Sequence, residues 1–332
     1  MKSVIIALCL LFYADAALST APVAPRSGDR QLTMMFWNLE NFFDYFADSS
    51  GSGYDTVFTA RGERRWTKKR FRDKCLLTAK AILWCSSQTG SGLPDIIGVA
   101  EIENRFVLRS LLKNTILNKA EYGIIHYESP DRRGIDVALL YKKESLRPVF
   151  SKPVRVSAAK DGDTLRTRDI LVVDFVRTGG ADDTVCVAVN HHPSKFGGGS
   201  TAWRRREAIN TLARIADTAS SRNRPFIAMG DFNDTPEKEC YRDLCRRTGL
   251  ESLALPLAGQ GQGTIRYNGR WELIDHFYIS KGLKGTMKIM KIPFLMTRDN
   301  VHAGDKPLRT YTGPRYAGGV SDHLPIILQL EL

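Results

Sequence analysis

Short apolar runs recur along the chain, and most stop abruptly at one polar side chain. "QLTMMFWN", "PDIIGVAE", "YGIIHYE", "IDVALLYK", "DILVVDFV", "TVCVAVN", "RPFIAMGD", "WELIDHFYIS" and "LPIILQLEL" are rich in β-branched or aromatic residues and are flanked by Gly, Pro or Asp. Length and flanks predict buried strands. Helical spacing predicts a basic amphipathic helix around Trp66 to Trp84 and another from Asn104 to about Leu117. A third, Ala202 to Ala219, sets Ile209, Leu212, Ile215 and Ala216 on one face. Strands and helices interleave without strict alternation, and hairpin-like strand pairs sit among them. That pattern predicts one α/β domain with mixed sheets. The Gly-rich stretches Ala258 to Arg270 and Thr297 to Gly319 read as surface loops, where function often resides.

The N-terminus changes the picture. "MKSVIIALCLLFYADAALS" joins Lys2, an apolar run from Val4 to Tyr13 and an Ala14-Asp15-Ala16 cleavage pattern. This predicts a secretory signal over residues 1–16, too short to span a bilayer, followed by a proline-bearing linker over 17–30 and one domain over 31–332. The expected product is exported, without integral membrane association. The formal net charge of the 332 residues is +12, which suits an anionic partner such as nucleic acid, a phosphorylated lipid surface or a polyphosphate. After the signal come Cys75, Cys85, Cys186, Cys240 and Cys245, an odd number that permits at most two internal disulfides, with Cys240 and Cys245 a possible local pair. No CxxC pair or HExxH motif suggests a zinc site.

The polar residues at the strand ends carry the chemistry. "FWNLEN" ends on Asn38 with Glu40 two residues on, "IIGVAEIEN" on Glu101, and "VAVNHHPS" on Asn190, His191 and His192. "FIAMGDFND" ends on Asp231 and Asn233, "ELIDHFYI" sets Asp275 among apolar residues, and "GVSDHLPI" places Asp322 and His323 at a strand start. One such residue could be a turn or cap, but six strand ends delivering carboxylate, amide and imidazole groups imply a shared cleft. Hard oxygen ligands suit Mg²⁺, Mn²⁺ or Ca²⁺, and such an ion polarises a phosphoryl oxygen. An Asp beside a water can orient or deprotonate it. An imidazole bonded to a buried carboxylate can stabilise charge gathering on phosphate.

"WNLEN", "AEIEN", "NHHPS", "GDFND", "LIDHFYI" and "GVSDHLPI", in that order, resemble the motif set of the endonuclease/exonuclease/phosphatase superfamily, across about residues 31 to 332. The resemblance implies a four-layer α/β/β/α sandwich with two mixed β-sheets, like deoxyribonuclease I, and a site at one edge. It implies a Mg²⁺-dependent phosphoesterase, with Mn²⁺ or Ca²⁺ as other possible ions. By position, Asn38 helps order the metal and the attacking water, Glu101 is the principal metal ligand and Asp322 contributes to a second metal site. Asp231 activates the nucleophile, Asn233 contacts phosphate, and His323 is the catalytic imidazole oriented by Asp275. His191 stands where abasic-site enzymes have Tyr and deoxyribonuclease I has its second catalytic His. The resemblance thus makes His191 a general acid and argues against an abasic-site enzyme. Arg168 in "RTRDILVVDF" resembles the phosphate-contacting Arg of deoxyribonuclease I; as a residue it equally fits a solvated strand edge.

Other candidates divide between function and structure. Asp136 either orients His191 or is a hydrogen-bonded structural carboxylate. His192 and His302 read as surface or loop residues, His126 as structural, and His276 points away from Asp275 by strand alternation. "RGERRWTKKRFRDK" either tracks a nucleic-acid backbone, with Trp66 and Phe71 stacking on bases, or is a solvated helix face. Arg204 to Arg206 oppose the helix dipole at a helix start, which suggests phosphate contact near His191. An exported nuclease of monomeric form is the leading expectation. The alternative is a phosphatase or lipid phosphodiesterase on inositol phosphates or sphingomyelin-like head groups, disfavoured because Thr297 to Gly319 shows no aromatic hairpin. A non-catalytic binding protein would be expected to lack Glu101, Asp231, Asp275 or His323, and all four are present.

Overall fold

Alternation divides the side chains of the first strand, β1 (Gln31–Phe42), between two cores. Leu32, Met34 and Phe36 face one way, Met35, Trp37 and Leu39 the other, and all are buried. Burial on both faces is what a continuous apolar run requires. The computed structural model describes residues 31–46, 54–160, 163–178, 184–195 and 198–331. The expected signal at 1–16 and linker at 17–30 lie outside the described residues.

β1 belongs to a six-stranded sheet with β2 (Ile96–Ile102), β3 (Tyr122–His126), β4 (Asp136–Lys142), β11 (Lys284–Ile289) and β12 (Ile326–Glu331). Its order is β11-β12-β1-β2-β4-β3, with β1 parallel to β2 and antiparallel to β12. The second sheet holds β5 (Leu146–Val154), β6 (Ile170–Arg177), β7 (Thr184–His191), β8 (Phe226–Asp231), β9 (Leu250–Ser252) and β10 (Asp275–Ser280). Its order is β9-β10-β8-β7-β6-β5, with β7 and β8 parallel and β10 antiparallel to β8. Met34, Phe36, Leu139, Val173, Val187, Met229, Phe277 and Leu328 fill the space between the sheets. Each such side chain stabilises the fold by roughly 1.5–3 kcal/mol. The sheets approach so closely at Gly98 that a Cβ there would lie 2.6 Å from Met229 Sδ.

α1 (Lys68–Thr89) and α2 (Arg105–Lys113) cover the outer face of the first sheet, packing Phe71, Ile82, Leu108 and Leu111 onto Trp37, Val99 and Leu140. α3 (Ala202–Ser221) and α4 (Glu239–Thr248) cover the second, with Ile209, Leu212 and Leu244 on Ala188, Phe226 and Tyr278. The result is the four-layer α/β/β/α sandwich with two mixed sheets that the motif resemblance implied. Among the described residues no helix is long and apolar enough to cross a membrane.

Several expectations change. α1 starts later than expected because Thr67, whose hydroxyl accepts from Arg70 N–H, caps it, and it runs on to Gly90 in a left-handed conformation (φ 69°). Trp66 and Phe71 are therefore core residues: Trp66 is fully buried, with Nε1 donating to Phe43 O at 3.0 Å, so neither ring is free to stack on a base. Pro148 and Pro153 argue against a strand, yet β5 is an edge strand paired only to β6, where proline is tolerated. β11, Lys-flanked and short, is the opposite sheet's edge. The five cysteines among the described residues are free thiols, Cys240 and Cys245 included.

Candidate active site

Strand alternation builds the site. On β7, Val185, Val187 and Val189 face the other sheet, so His191 follows them to that side. On β8, Ile227 and Met229 lead to Asp231, and on β10, Asp275 precedes Phe277 and Ile279 on the same face. Three functional side chains thus emerge between the sheets where the strands end. β1 and β2 reach the same place by breaking alternation. Glu40, Asn41 and Glu101 have left-handed backbones (φ 44°, 48° and 61°), and the register slips at both strand ends. The kink at Glu101 sends Ile102 into the helix-side core, freeing Glu101 to face the cleft. Asn233, just past β8, is also left-handed (φ 53°). Such conformations cost on the order of 1–3 kcal/mol each for non-glycine residues, Asn being the most tolerant, and they cluster at functional sites.

The side chains converge on one oxygen. Asp231 Oδ2 accepts from Asn38 Nδ2 at 3.0 Å, with His191 Nε2 at 3.5 Å and His323 Nε2 at 3.8 Å. Asp231 Oδ1 accepts the Asn233 backbone N–H at 2.9 Å. On its far side, His323 Nδ1 meets Asp275 Oδ2 at 2.8 Å, both residues being buried. The backbone is fixed around His323: Trp37 Nε1 donates to its carbonyl, and the Ser321 hydroxyl accepts its N–H while donating to Asn38 O. Glu101 Oε2 accepts Asn41 N–H at 2.7 Å. Its Oε1 lies 3.7 Å from Arg133 and 3.8 Å from His191, beyond hydrogen-bond reach of either.

Burial and charge split the two imidazoles. Burial works against a charged His323, yet Asp275, then Asp231 and Asp322, hold its pKa well above the usual range. Burial, reinforced by Arg168 and Arg133, pushes His191 well below it. Burial, with Asp275 beside it, raises the Asp231 carboxyl to about 7. The two imidazoles beside Asp231 are thus driven in opposite directions, His323 toward its cationic form and His191 toward its neutral one.

A hard divalent ion fits this set. Glu101 offers one carboxylate oxygen clear of hydrogen-bond donors from Arg133 and His191, and Asp322 is partly exposed beside His323, 3.9 Å from Oδ1 to Nε2. Asp275 Oδ1 and His191 Nδ1 are buried polar atoms without a hydrogen-bond partner, so the cleft carries unspent polar capacity. Asp231, Asp275 and His323 also lie close enough together to share an ion. Asn38 Oδ1 already accepts Glu40 N–H at 2.9 Å, which leaves it one lone pair.

Sequence reasoning gave Glu40 no role and overlooked Arg309. Glu40 is buried, its oxygens accepting from Arg309 Nε at 2.9 Å and Thr310 N–H at 3.0 Å. Arg309 Nη2 reaches Asp322 Oδ2 at 3.1 Å, so one guanidinium joins the two acids. Beneath them Lys74, fully buried, donates to Glu40 O and the Thr310 hydroxyl. Lys74 looked like one more cation on a solvated helix face, and Arg309 sits in a loop with no motif. Only proximity to "NLEN" in three dimensions marks them.

Asp136 does not touch His191; it holds His126 Nε2 at 3.2 Å and Ser129 N–H at 2.9 Å, so the structural role is the observed one. Its strand starts on the first sheet, whereas His191 ends a strand of the second. Arg168 is buried rather than solvated, bonding Asp131 Oδ2 and His192 O beneath the site. His192 is buried, not a surface residue, packed against Phe232 and Tyr241. His276 faces away from Asp275 as alternation required, stacked on Phe232. His302 is exposed beside Asp299, the surface position expected of it. Arg205 is drawn to Ser194 O and Asp234. Thr297 to Gly319 does contain an aromatic hairpin, Tyr311–Thr312 with Arg315–Tyr316, but Tyr311 packs inward on Phe58 and Trp66.

The model of the Endonuclease/Exonuclease/phosphatase family matches residues 33–332, and the chain belongs to that family of phosphoesterases. No curated protein matches in sequence. Among solved structures, the human Nocturnin catalytic domain with bound sulfate is 18% identical, with a TM-score of 0.56 over 91% of this chain and 94% of that one. A mannosyl-6-phosphatase of Bacteroides thetaiotaomicron is 16% identical, with a TM-score of 0.56 over 91% of this chain and 100% of that one. D. rerio TDP2 complexed with single-strand DNA product is 12% identical, with a TM-score of 0.53 over 91% and 99%. At these identities the likeness is one of fold.

Proposed function

We propose that this phosphoesterase is an exported, Mg²⁺-dependent nuclease that hydrolyses phosphodiester bonds in nucleic acid. The observation that carries the reading is the convergence of Asn38, His191 and His323 on Asp231 Oδ2 within 3.8 Å. Glu101, with Asn38 and Asp322, would hold the ion, and a bound divalent ion supplies Lewis-acid polarisation of a phosphoryl oxygen. Asp231 orients the attacking water and takes its proton, for which a carboxyl raised to about 7 is well matched near neutral pH. His323, kept cationic by Asp275, donates to phosphate oxygens as they gain charge. His191 is neutral in the free protein; an anionic phosphate beside it favours its protonated form, from which it can pass a proton to the leaving oxygen. Asn233 stands beside the phosphate, its amide already tied to His192 O at 2.8 Å, and Arg168 acts through the same carbonyl rather than by direct contact.

The net charge of +12 supports a polyanionic substrate. In the hairpin, Tyr311 is buried on Phe58 and Trp66 and Tyr316 is half-buried against Trp66, which gives the lipid alternative little aromatic surface there. Residues 17–332 assayed on plasmid DNA, RNA, bis(4-nitrophenyl) phosphate and phosphomonoesters, with Mg²⁺, Ca²⁺ or chelator, provide the test. Nucleic-acid cleavage with Mg²⁺ is expected. Turnover of phosphomonoesters alone would refute the nuclease reading.

A further inference from the structure

Beside the Glu40 kink lies a cavity of about 290 Å³ whose walls include Asn41, Phe58, Arg64, Arg309, Thr310 and Tyr311. Its volume lies just below the usual range of ligand sites, roughly 300–1,000 Å³, and leaves room for a phosphate with part of a sugar. Two guanidiniums line it, and each is held by other groups. Arg309 is fixed on its inner edge by Glu40 and Asp322, while its side chain remains 47% exposed. Arg64 lies over the Tyr311 ring at 5.2 Å and donates to Gly313 O. The acid in the wall, Glu40, has both oxygens occupied by Arg309 and Thr310. What remains to meet a ligand is the outer N–H edge of planar cations, which matches phosphate geometry.

The cavity is separate from the position of the reacting phosphate but close to it. Asp322 lies between them, 3.1 Å from Arg309 on one side and 3.9 Å from His323 Nε2 on the other. We propose that this cavity is an anion subsite that binds the phosphate next to the scissile one on the same nucleic-acid strand. The inference rests on the nuclease reading for the source of that phosphate, and on the two guanidiniums for its chemistry. Single-phosphate substrates would leave the subsite empty, so preference for a chain of phosphates is built into the wall of the site.

Calorimetry on the Ca²⁺-loaded protein tests the subsite without any turnover. Thymidine 3′,5′-bisphosphate is expected to bind at least tenfold more tightly than either thymidine monophosphate. Arg64→Met is expected to abolish that ratio, and Arg64→Lys to keep part of it. Equal affinity of all three nucleotides for the native protein would overturn the proposal. So would an Arg64→Met protein, shown to be folded by its circular dichroism, that keeps the full preference. If the subsite ratio holds but no oligonucleotide is cleaved, the nuclease reading fails and the anion subsite stands.

Discussion

His323 takes its charge and its orientation from neighbouring carboxylates, Asp275 on Nδ1 and Asp231 at 3.8 Å from Nε2. The structure supplies the 2.8 Å contact to Asp275 and the carbonyl bond to Trp37 that fix the ring. Glu40, Arg309 and Lys74 were not legible, because their roles arise from burial and from contacts across more than 200 residues of chain. Asp275 gives a residue-level prediction. Its carboxylate raises the His323 pKa, so the cationic imidazole persists until pH passes that raised value. In Asp275→Asn the imidazolium loses its proton at lower pH. The alkaline limb of the pH–rate profile should move down, and kcat near neutral pH should fall by about 10²–10⁴. A profile with an unmoved alkaline limb would separate Asp275 from the chemistry.

At the scale of elements, periodicity located most strands and both long helices, while the stacking of the layers came from the motif resemblance. Alternation also placed His276 opposite Asp275 correctly, yet gave no hint that His192 joins it in an aromatic layer with Phe232, Tyr241 and Tyr278. Burial holds His276 down at about 4 and His192 at about 3. Between the unfolded value near 6.5 and these values, the unfolded chain binds protons that the native state refuses. Each histidine therefore makes stability fall as pH falls, by up to about 1.4 kcal/mol per pH unit. Glu40 and Asp231, both raised to about 7, act in the opposite direction over the same range. The measurable quantity is thus a difference. Relative to the native sequence, His276→Gln should gain about 2 kcal/mol of unfolding free energy on going from pH 6.5 to pH 4.5. A constant difference between the two proteins would show that His276 is not held neutral.

Across the whole molecule, two sheets carry apolar residues to one edge and end there in acids, amides and imidazoles, and the kinks at Glu40, Asn41 and Glu101 complete the set. Four left-handed residues, Glu40, Asn41, Glu101 and Asn233, meet at that edge, together with two imidazoles driven toward different protonation states. The family follows from the matched family model, whereas the proposed nucleic-acid substrate rests on the net charge and on the Arg64–Arg309 cavity. Asp231 is the group proposed to prepare the nucleophile beside a divalent ion, and the proposed chemistry depends on it most directly. Cleavage of a single-stranded oligonucleotide by the native protein and by Asp231→Asn, each with Mg²⁺ and with excess chelator, measures this in one experiment. The expected result is rapid cleavage by the native protein with Mg²⁺ alone, and a loss of at least about 10²-fold from either the substitution or the chelator. Cleavage at near-native rate by Asp231→Asn, or undiminished cleavage in chelator, would contradict it.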